Sequence, residues 1–170
     1  MNNKIWYELK SPTDINHIQI LTDDLGVVKI DSNNFDTYKD TIQLSIDKFN
    51  SQINWDDMWD LKESKKRISQ NQSLYLLLKN ELPIGHVWYI GEYLYNAFVS
   101  IERKKGESQW FIGETIKDRF NQGYKTITLY TEEWNKNAIG LWEKLGFKII
   151  NKNELEKYGR ELIHQTQGND

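Results

Sequence analysis

Apolar positions along the chain fall into short alternating runs and longer helical stripes. Ile5 to Leu9, Ile18 to Leu21 and Val27 to Ile30 read as strands, although the pattern does not say which of them joins the main sheet. From Asp36 to Asn50, Tyr38, Ile42, Ile46 and Phe49 recur at helical spacing, and Ser32, Asn33 or Asn34 stands ready to cap the start. A second, less regular stripe runs from Trp55 to Ser69. Leu74 to Leu78 predicts a strand, Asn80 to Pro83 a turn, and Ile84 to Ile90 the returning strand of a hairpin. Gly91 and Glu92 turn the chain again into a strand from Leu94 to Ile101. A helix over Ser108 to Asn121 follows, with Phe111, Ile112, Thr115, Ile116 and Phe120 on one face, ended by Gly123. Then come a strand over Thr126 to Thr131 and a helix from Asn135 ended by Gly146. A strand over Phe147 to Ile150, a turn or short helix over Glu154 to Lys157, and a last strand over Glu161 to Gln165 complete the pattern.

The sharpest local feature sits between the Leu94 to Ile101 strand and the helix after it. Arg103, Lys104, Lys105, Gly106, Glu107 and Ser108 form a basic, glycine-containing turn at a helix start. Such a start leaves backbone N–H groups unpaired and carries partial positive charge, so a phosphate can sit there if the backbone can approach it. Gly106 removes a Cβ from that approach. Glu107 suits the helix dipole but opposes a phosphate unless its side chain turns away. A plain solvated strand-to-helix turn would look the same in isolation.

Downstream, Asn135-Lys136-Asn137-Ala138-Ile139 runs on to Leu141-Trp142-Glu143-Lys144-Leu145-Gly146-Phe147. Taken with the turn at 103 to 108, this block resembles the Gcn5-related N-acetyltransferase (GNAT) family. That family uses an R/Q-x-x-G-x-G/A loop for acetyl-coenzyme A and closes its core with a block of this kind. The resemblance covers about 50 residues closely and the remainder by element order. It implies an α/β chain with a GNAT-like acyl-CoA acyltransferase fold. That fold has a mixed central sheet with helices on both faces, in the order β-α-α-β-β-β-α-β-α-β-β, as one domain over residues 1–170.

The resemblance further implies acetyl-CoA as co-substrate and an amine, on a small molecule or a protein, as acceptor. Its pantetheine arm would enter between the Leu94 to Ile101 and Thr126 to Thr131 strands, which should be parallel neighbours that part at one end. Backbone groups near Phe98, Val99 and Ile101 would meet it, the family valine falling on Phe98 or on Val99. Arg103, Lys104, Lys105, Gly106, Glu107 and Ser108 would hold the diphosphate. Asn135 would meet the pantetheine region, or cap its helix, or both. Trp142 stands where the family often has a tyrosine that protonates the leaving thiolate. An indole N–H is a donor but no useful acid at neutral pH, so Tyr130 or Tyr95 is a further donor candidate and Trp142 is equally a core aromatic. Glu92, with Glu132 and Glu133, is a candidate base near the strand ends. Trp55, Asp56 and Trp59, in an acidic aromatic segment, would hold a cationic acceptor by charge and cation–π contacts. The alternative there is inward-packed tryptophans and capping aspartates.

Composition narrows the classes. The 170 residues include no cysteine, so no thiol carries an acyl group and direct transfer to the acceptor is the simplest route. His17, His86 and His164 show no metal-ligand spacing, and no metal is expected. Residues 1 to 63 hold twelve acidic and six basic residues, a net of −6; the whole chain is −3, so the remainder is +3. No broad basic face is implied, which argues against nucleic acid as the partner. No apolar run approaches membrane-spanning length and no signal-peptide core is present, so a cytoplasmic monomer or homodimer is the expectation. Two other readings share these residues: a non-catalytic acyl-CoA-binding module of the same fold, and an unrelated α/β binding domain.

Overall fold

The computed structural model describes residues 4–15, 23–53 and 59–155. Eleven elements are seen there: β1 (Lys4–Lys10), β2 (Leu25–Ile30), α1 (Phe35–Gln52), α2 (Leu61–Ser69), β3 (Ser73–Lys79), β4 (Leu82–Ile90), β5 (Tyr93–Val99), α3 (Glu107–Asn121), β6 (Thr128–Glu132), α4 (Lys136–Lys144) and β7 (Lys148–Leu155). Two strands precede the first helix where the sequence reading counted one. The expected strand at 18 to 21 and the expected last strand at 161 to 165 lie outside the described residues. Glu154, expected in a turn, belongs to β7. The second helix starts at Leu61, where Asp60 accepts the Glu63 N–H at 2.7 Å and fixes the N-cap; its expected start at Trp55 lies outside the described residues.

All seven strands form one sheet in the order β2-β3-β4-β5-β6-β1-β7. Every pairing is antiparallel except β5 with β6. Alternation along β3 sorts the core. Tyr75 and Leu77 face a cluster built with Phe111, Ile112 and Ile116 of α3 and Trp142 of α4. Leu74 and Leu76 face the opposite cluster, built with Ile42 and Ile46 of α1 and Ile68 of α2. The helices therefore cover both faces, as the apolar stripes of α1 and α3 require.

The N-terminal strand β1 lies between β6 and β7, with Glu8 opposite Tyr130 on one side and Asn151 on the other. The β6–α4–β7 unit is thus split by a strand from the far end of the sequence. Nothing local in the sequence encodes that insertion.

Beside β6, β5 pairs only through Tyr93 with Thr128 and Leu94 with Leu129. The next residue, Tyr95, is the extra residue of a β-bulge, since Tyr89 faces Leu94 while Trp88 faces Asn96. A bulge bends its strand and adds twist. Past it, β5 follows β4 and leaves β6, so the two parallel neighbours part as expected. Gly85 of β4 helps hold β5 there. A Cβ at Gly85 would lie 2.6 Å from the Phe98 carbonyl oxygen and 3.3 Å from the Val99 Cα. Gly85→Ala is expected to cost roughly 1–3 kcal/mol of stability as overpacking, because the atoms in the way are backbone. Chemical denaturation with an unchanged midpoint would show that β5 yields freely.

Candidate functional site: a cationic groove at the mouth of a strand gap

The gap between β5 and β6 opens toward Val99 and Glu132, and the chain after β5 turns across that end into α3. Gly106 occupies the N-cap position of α3 with φ +91°, a left-handed conformation that side chains with a Cβ adopt only with strain. Its glycine is therefore required by the backbone conformation as well as by approach.

Glu107 is only 4% exposed and is turned away from the loop surface. One carboxylate oxygen meets Lys79 Nζ at 2.8 Å and the other accepts the Lys104 N–H at 2.6 Å. The expected conflict between this acid and a phosphate does not arise. Glu107 N–H is itself bonded to the Lys104 carbonyl, so Glu107 shapes the loop and offers no donor to a ligand. The N–H groups of Lys105, Gly106 and Ser108 have no partner among the described residues. They form the orphan donor set of a helix start.

These donors open into a groove of about 560 Å³. It is lined by Ile101, Arg103, Lys104, Lys105, Gly106 and Ser108 from the loop side, with Gln109 of α3 and with Asn137, Leu141 and Lys144 of α4. Among the described residues, four cations and no acid line it. Asn137, Leu141 and Lys144 were missed in the sequence reading, though their i, i+4, i+7 spacing marks one face of a helix. Arg103 Nη1 also donates to the Ser100 carbonyl at 3.1 Å and closes off the end of β5. From the other side α1 pins the loop. Gln52 accepts the Ile101 N–H at 3.1 Å and donates to Ser100 Oγ at 3.0 Å, and Lys48 pairs with Glu102 at 2.8 Å.

Along β5 the Ser100 N–H donates to the Ile84 carbonyl at 2.8 Å. Alternation then turns the backbone of Phe98 toward β4, and that of Ala97 and Val99 toward the gap. Of the two registers left open by the sequence, Val99 is the gap-facing one. Phe98 is instead a buried ring packed 5.3 Å from Phe49 and 5.4 Å from His86. Asn135 caps α4, accepting the Ala138 N–H at 3.2 Å.

The three proposed catalytic side chains are not brought together. Trp142 is 5% exposed and packs in the core 5.5 Å from Phe147. Among the α4 residues it is Asn137, Leu141 and Lys144, not Trp142, that line the groove. Glu92 lies in the turn before Tyr93, and its carbonyl accepts the Thr128 N–H at 3.0 Å. That is the closed end of the β5–β6 pair, opposite the gap, so Glu92 is misplaced for a base. Tyr130 does border the gap. Its ring stacks on Tyr93 at 6.2 Å, and Glu8 lies directly opposite it on β1. Burial, then the Glu8 charge, raises its pKa above the usual tyrosine value. It stays a protonated donor but is too weak an acid to protonate a thiolate readily. Glu133 accepts from the Tyr7 hydroxyl at 2.6 Å, which holds its carboxyl below the usual range.

Of the expected acceptor residues, Trp55 and Asp56 lie outside the described residues. Trp59 donates to Ser64 Oγ at 2.6 Å and packs edge-on against His86 at 4.4 Å. It is a half-buried member of an aromatic cluster with Phe49 and Trp88. His86, Asn96 and Ser45 form a hydrogen-bonded set inside that cluster. Among the described residues no group of His, Asp and Glu has the arrangement of a metal site.

No protein-family model matches this chain, and no curated protein matches it in sequence. Solved structures do match in shape. An aminoglycoside acetyltransferase from an uncultured soil metagenomic sample, in complex with trehalose, superposes with a TM-score of 0.62 at 16% identity, over 82% of this chain and 97% of that one. AAC(6')-Iy, in complex with a bisubstrate analog of coenzyme A and acetylneamine, gives 0.57 at 12% identity, over 79% and 97%. A Gcn5-related N-acetyltransferase from Sphaerobacter thermophilus gives 0.61 at 8% identity, over 89% and 50%. The chain thus spans about half of that last protein, and likewise 50% of a Drosophila protein matched with a TM-score of 0.63 at 8% identity.

Proposed function

We propose that this chain, which has the fold of the Gcn5-related N-acetyltransferases, moves an acetyl group from acetyl-CoA directly to an amine. One observation carries the reading. The gap between β5 and β6 leads straight to a groove that joins unpaired helix-start N–H groups to four cations. A diphosphate suits that groove by charge and by donor geometry. The N–H groups of Lys105, Gly106 and Ser108 would hold it, with Arg103, Lys104, Lys105 and Lys144 balancing its charge. Ala97 and Val99 would offer backbone groups to the pantetheine arm. Structural neighbours include an aminoglycoside acetyltransferase, seen also with sisomicin, and AAC(6')-Iy bound to a coenzyme A bisubstrate analog. That supports an amine acceptor and a coenzyme A donor for this chain also.

A second reading has its own support. With Trp142 in the core, α4 supplies no acid to the gap, as expected of an acyl-CoA-binding module without turnover. Calorimetry and thiol release separate the two. Calorimetry should give saturable one-to-one binding of coenzyme A, weakened as salt rises because charges dominate the groove. Acetyl-CoA with kanamycin as acceptor should release free thiol. Binding without thiol release across a panel of amines would favour the module. Absence of binding would remove both.

A further inference from the structure

Among the described residues, the sheet is covered unequally on its α1–α2 face, and no described side chain of β1, β6 or β7 belongs to the core cluster of those helices. Leu9, Leu94 and Leu129 belong to the α3–α4 cluster on the other face. Alternation therefore places Glu8 and Trp6 of β1, Tyr130 and Glu132 of β6, and Tyr93 of β5 on the α1–α2 face. All five are partly exposed. The Nε1 of Trp6 is shielded from water and has no hydrogen-bond partner.

These side chains meet at a defined point of the sheet. Tyr93 pairs with Thr128 in the last closed rungs of β5 and β6. Tyr130 lies two residues further along β6, where the gap has opened. Glu8 stands directly opposite Tyr130 across β1 and β6, so the two side chains lie side by side on this face. A carboxylate and two stacked rings thus border the gap on the face away from α3.

We propose that this face is the acceptor site: it takes a cationic primary amine, and Glu8 holds the ammonium and removes its proton. The inference rests on the acetyl-transfer reading above. A carboxylate and ring faces together favour an alkylammonium over neutral or anionic acceptors. Its place opposite Tyr130 sets the Glu8 carboxylate beside the opened gap, where a base is required. In the reaction one ammonium proton passes to Glu8. The freed amine lone pair forms the C–N bond at the acetyl carbonyl carbon. The C–S bond breaks and its electron pair leaves on sulfur. The second nitrogen proton goes to that sulfur, giving amide and free thiol, and Glu8 returns its proton to solvent. The strand inserted between β6 and β7 is what brings this carboxylate to the gap.

The test compares wild type with Glu8→Gln and Glu8→Asp, using propylamine and kanamycin as acceptors. Glu8→Gln should lower kcat/KM for the amine by on the order of 100-fold, the usual scale for a lost base. Its acetyl-CoA affinity by calorimetry should stay within about twofold of wild type, as expected of a residue outside the groove. Glu8→Asp should recover part of the rate. If Glu8→Gln fails to fold, Glu8→Asp alone should lower kcat/KM for the amine while leaving acetyl-CoA affinity unchanged. A folded Glu8→Gln with wild-type kcat/KM overturns the proposal. So does a wild type that binds acetyl-CoA and acetylates neither amine. Failure of wild type to bind acetyl-CoA at all would instead defeat the acetyl-transfer reading beneath it.

Discussion

Replacing Gly106 by valine is expected to weaken coenzyme A binding about tenfold or more. Two effects act together. At φ +91° a residue with a Cβ is strained by roughly 1–2 kcal/mol, more for a β-branched one. The loop would relieve that strain by rotating, and rotation re-aims the N–H groups of Lys105, Gly106 and Ser108. A lost hydrogen bond to a charged group costs about 1.5–3 kcal/mol, which is tenfold or more in affinity. Strain alone also lowers stability, so a control is needed. Gly123, just past the end of α3, has φ +101° and nothing within 4 Å of a built Cβ. Gly123→Val should lose similar stability and keep full affinity for coenzyme A. Calorimetry on both folded variants decides the matter. Equal affinity in Gly106→Val and Gly123→Val would take the loop out of the binding site.

Much of this site was legible because its signals are local. A strand pattern, a glycine in a basic turn and a helix stripe placed the start of α3 within one residue. Asn135 read as a cap, and it is one. The parting of β5 and β6 came with the family resemblance, and the structure adds its cause in the bulge at Tyr95 and the close approach at Gly85. What stayed hidden depends on contacts distant in sequence. Strand β1 sits beside β6 through pairings 118 to 126 residues apart, so Glu8 gave no sign of lying next to Tyr130. Trp142 and Leu141 are neighbours on a helix, and only the packing of α4 decides which faces the core. Glu92 looked close to the reacting strands because it is close in sequence, but it lies at the closed end of their pairing. The side chain of Glu107 could not be aimed without Lys79, which arrives from β3.

Acidification should destabilise this protein from about pH 6.5 downward through His86. The imidazole is fully buried between Ser45 Oγ at 3.1 Å and Asn96 Oδ1 at 2.9 Å. With Nε2–H donating to Asn96, Nδ1 accepts from the Ser45 hydroxyl, a pattern only the neutral ring can satisfy. Burial holds its pKa down at about 3, against the ordinary 6.5. The unfolded chain therefore binds a proton below pH 6.5 that the folded chain refuses until about pH 3. Stability is complete above pH 6.5 and is lost as pH falls through that window. The slope approaches about 1.4 kcal/mol per pH unit, so roughly 2 kcal/mol is gone by pH 5. Paired carboxylates such as Glu133 add their own losses only at lower pH, as they begin to protonate. Denaturant titrations of wild type and His86→Gln between pH 7.5 and 5 isolate the effect. The variant should be less stable at pH 7.5, because its buried partners lose their geometry, yet show a flatter dependence on pH. Because α1 packs on this histidine through Ser45 and Phe49, and Gln52 of the same helix pins the loop at Ser100, acid loosening here should also weaken coenzyme A binding. Parallel slopes for the two proteins would mean that His86 takes up its proton in the folded state near its ordinary pKa, and that the cluster around it is open to water.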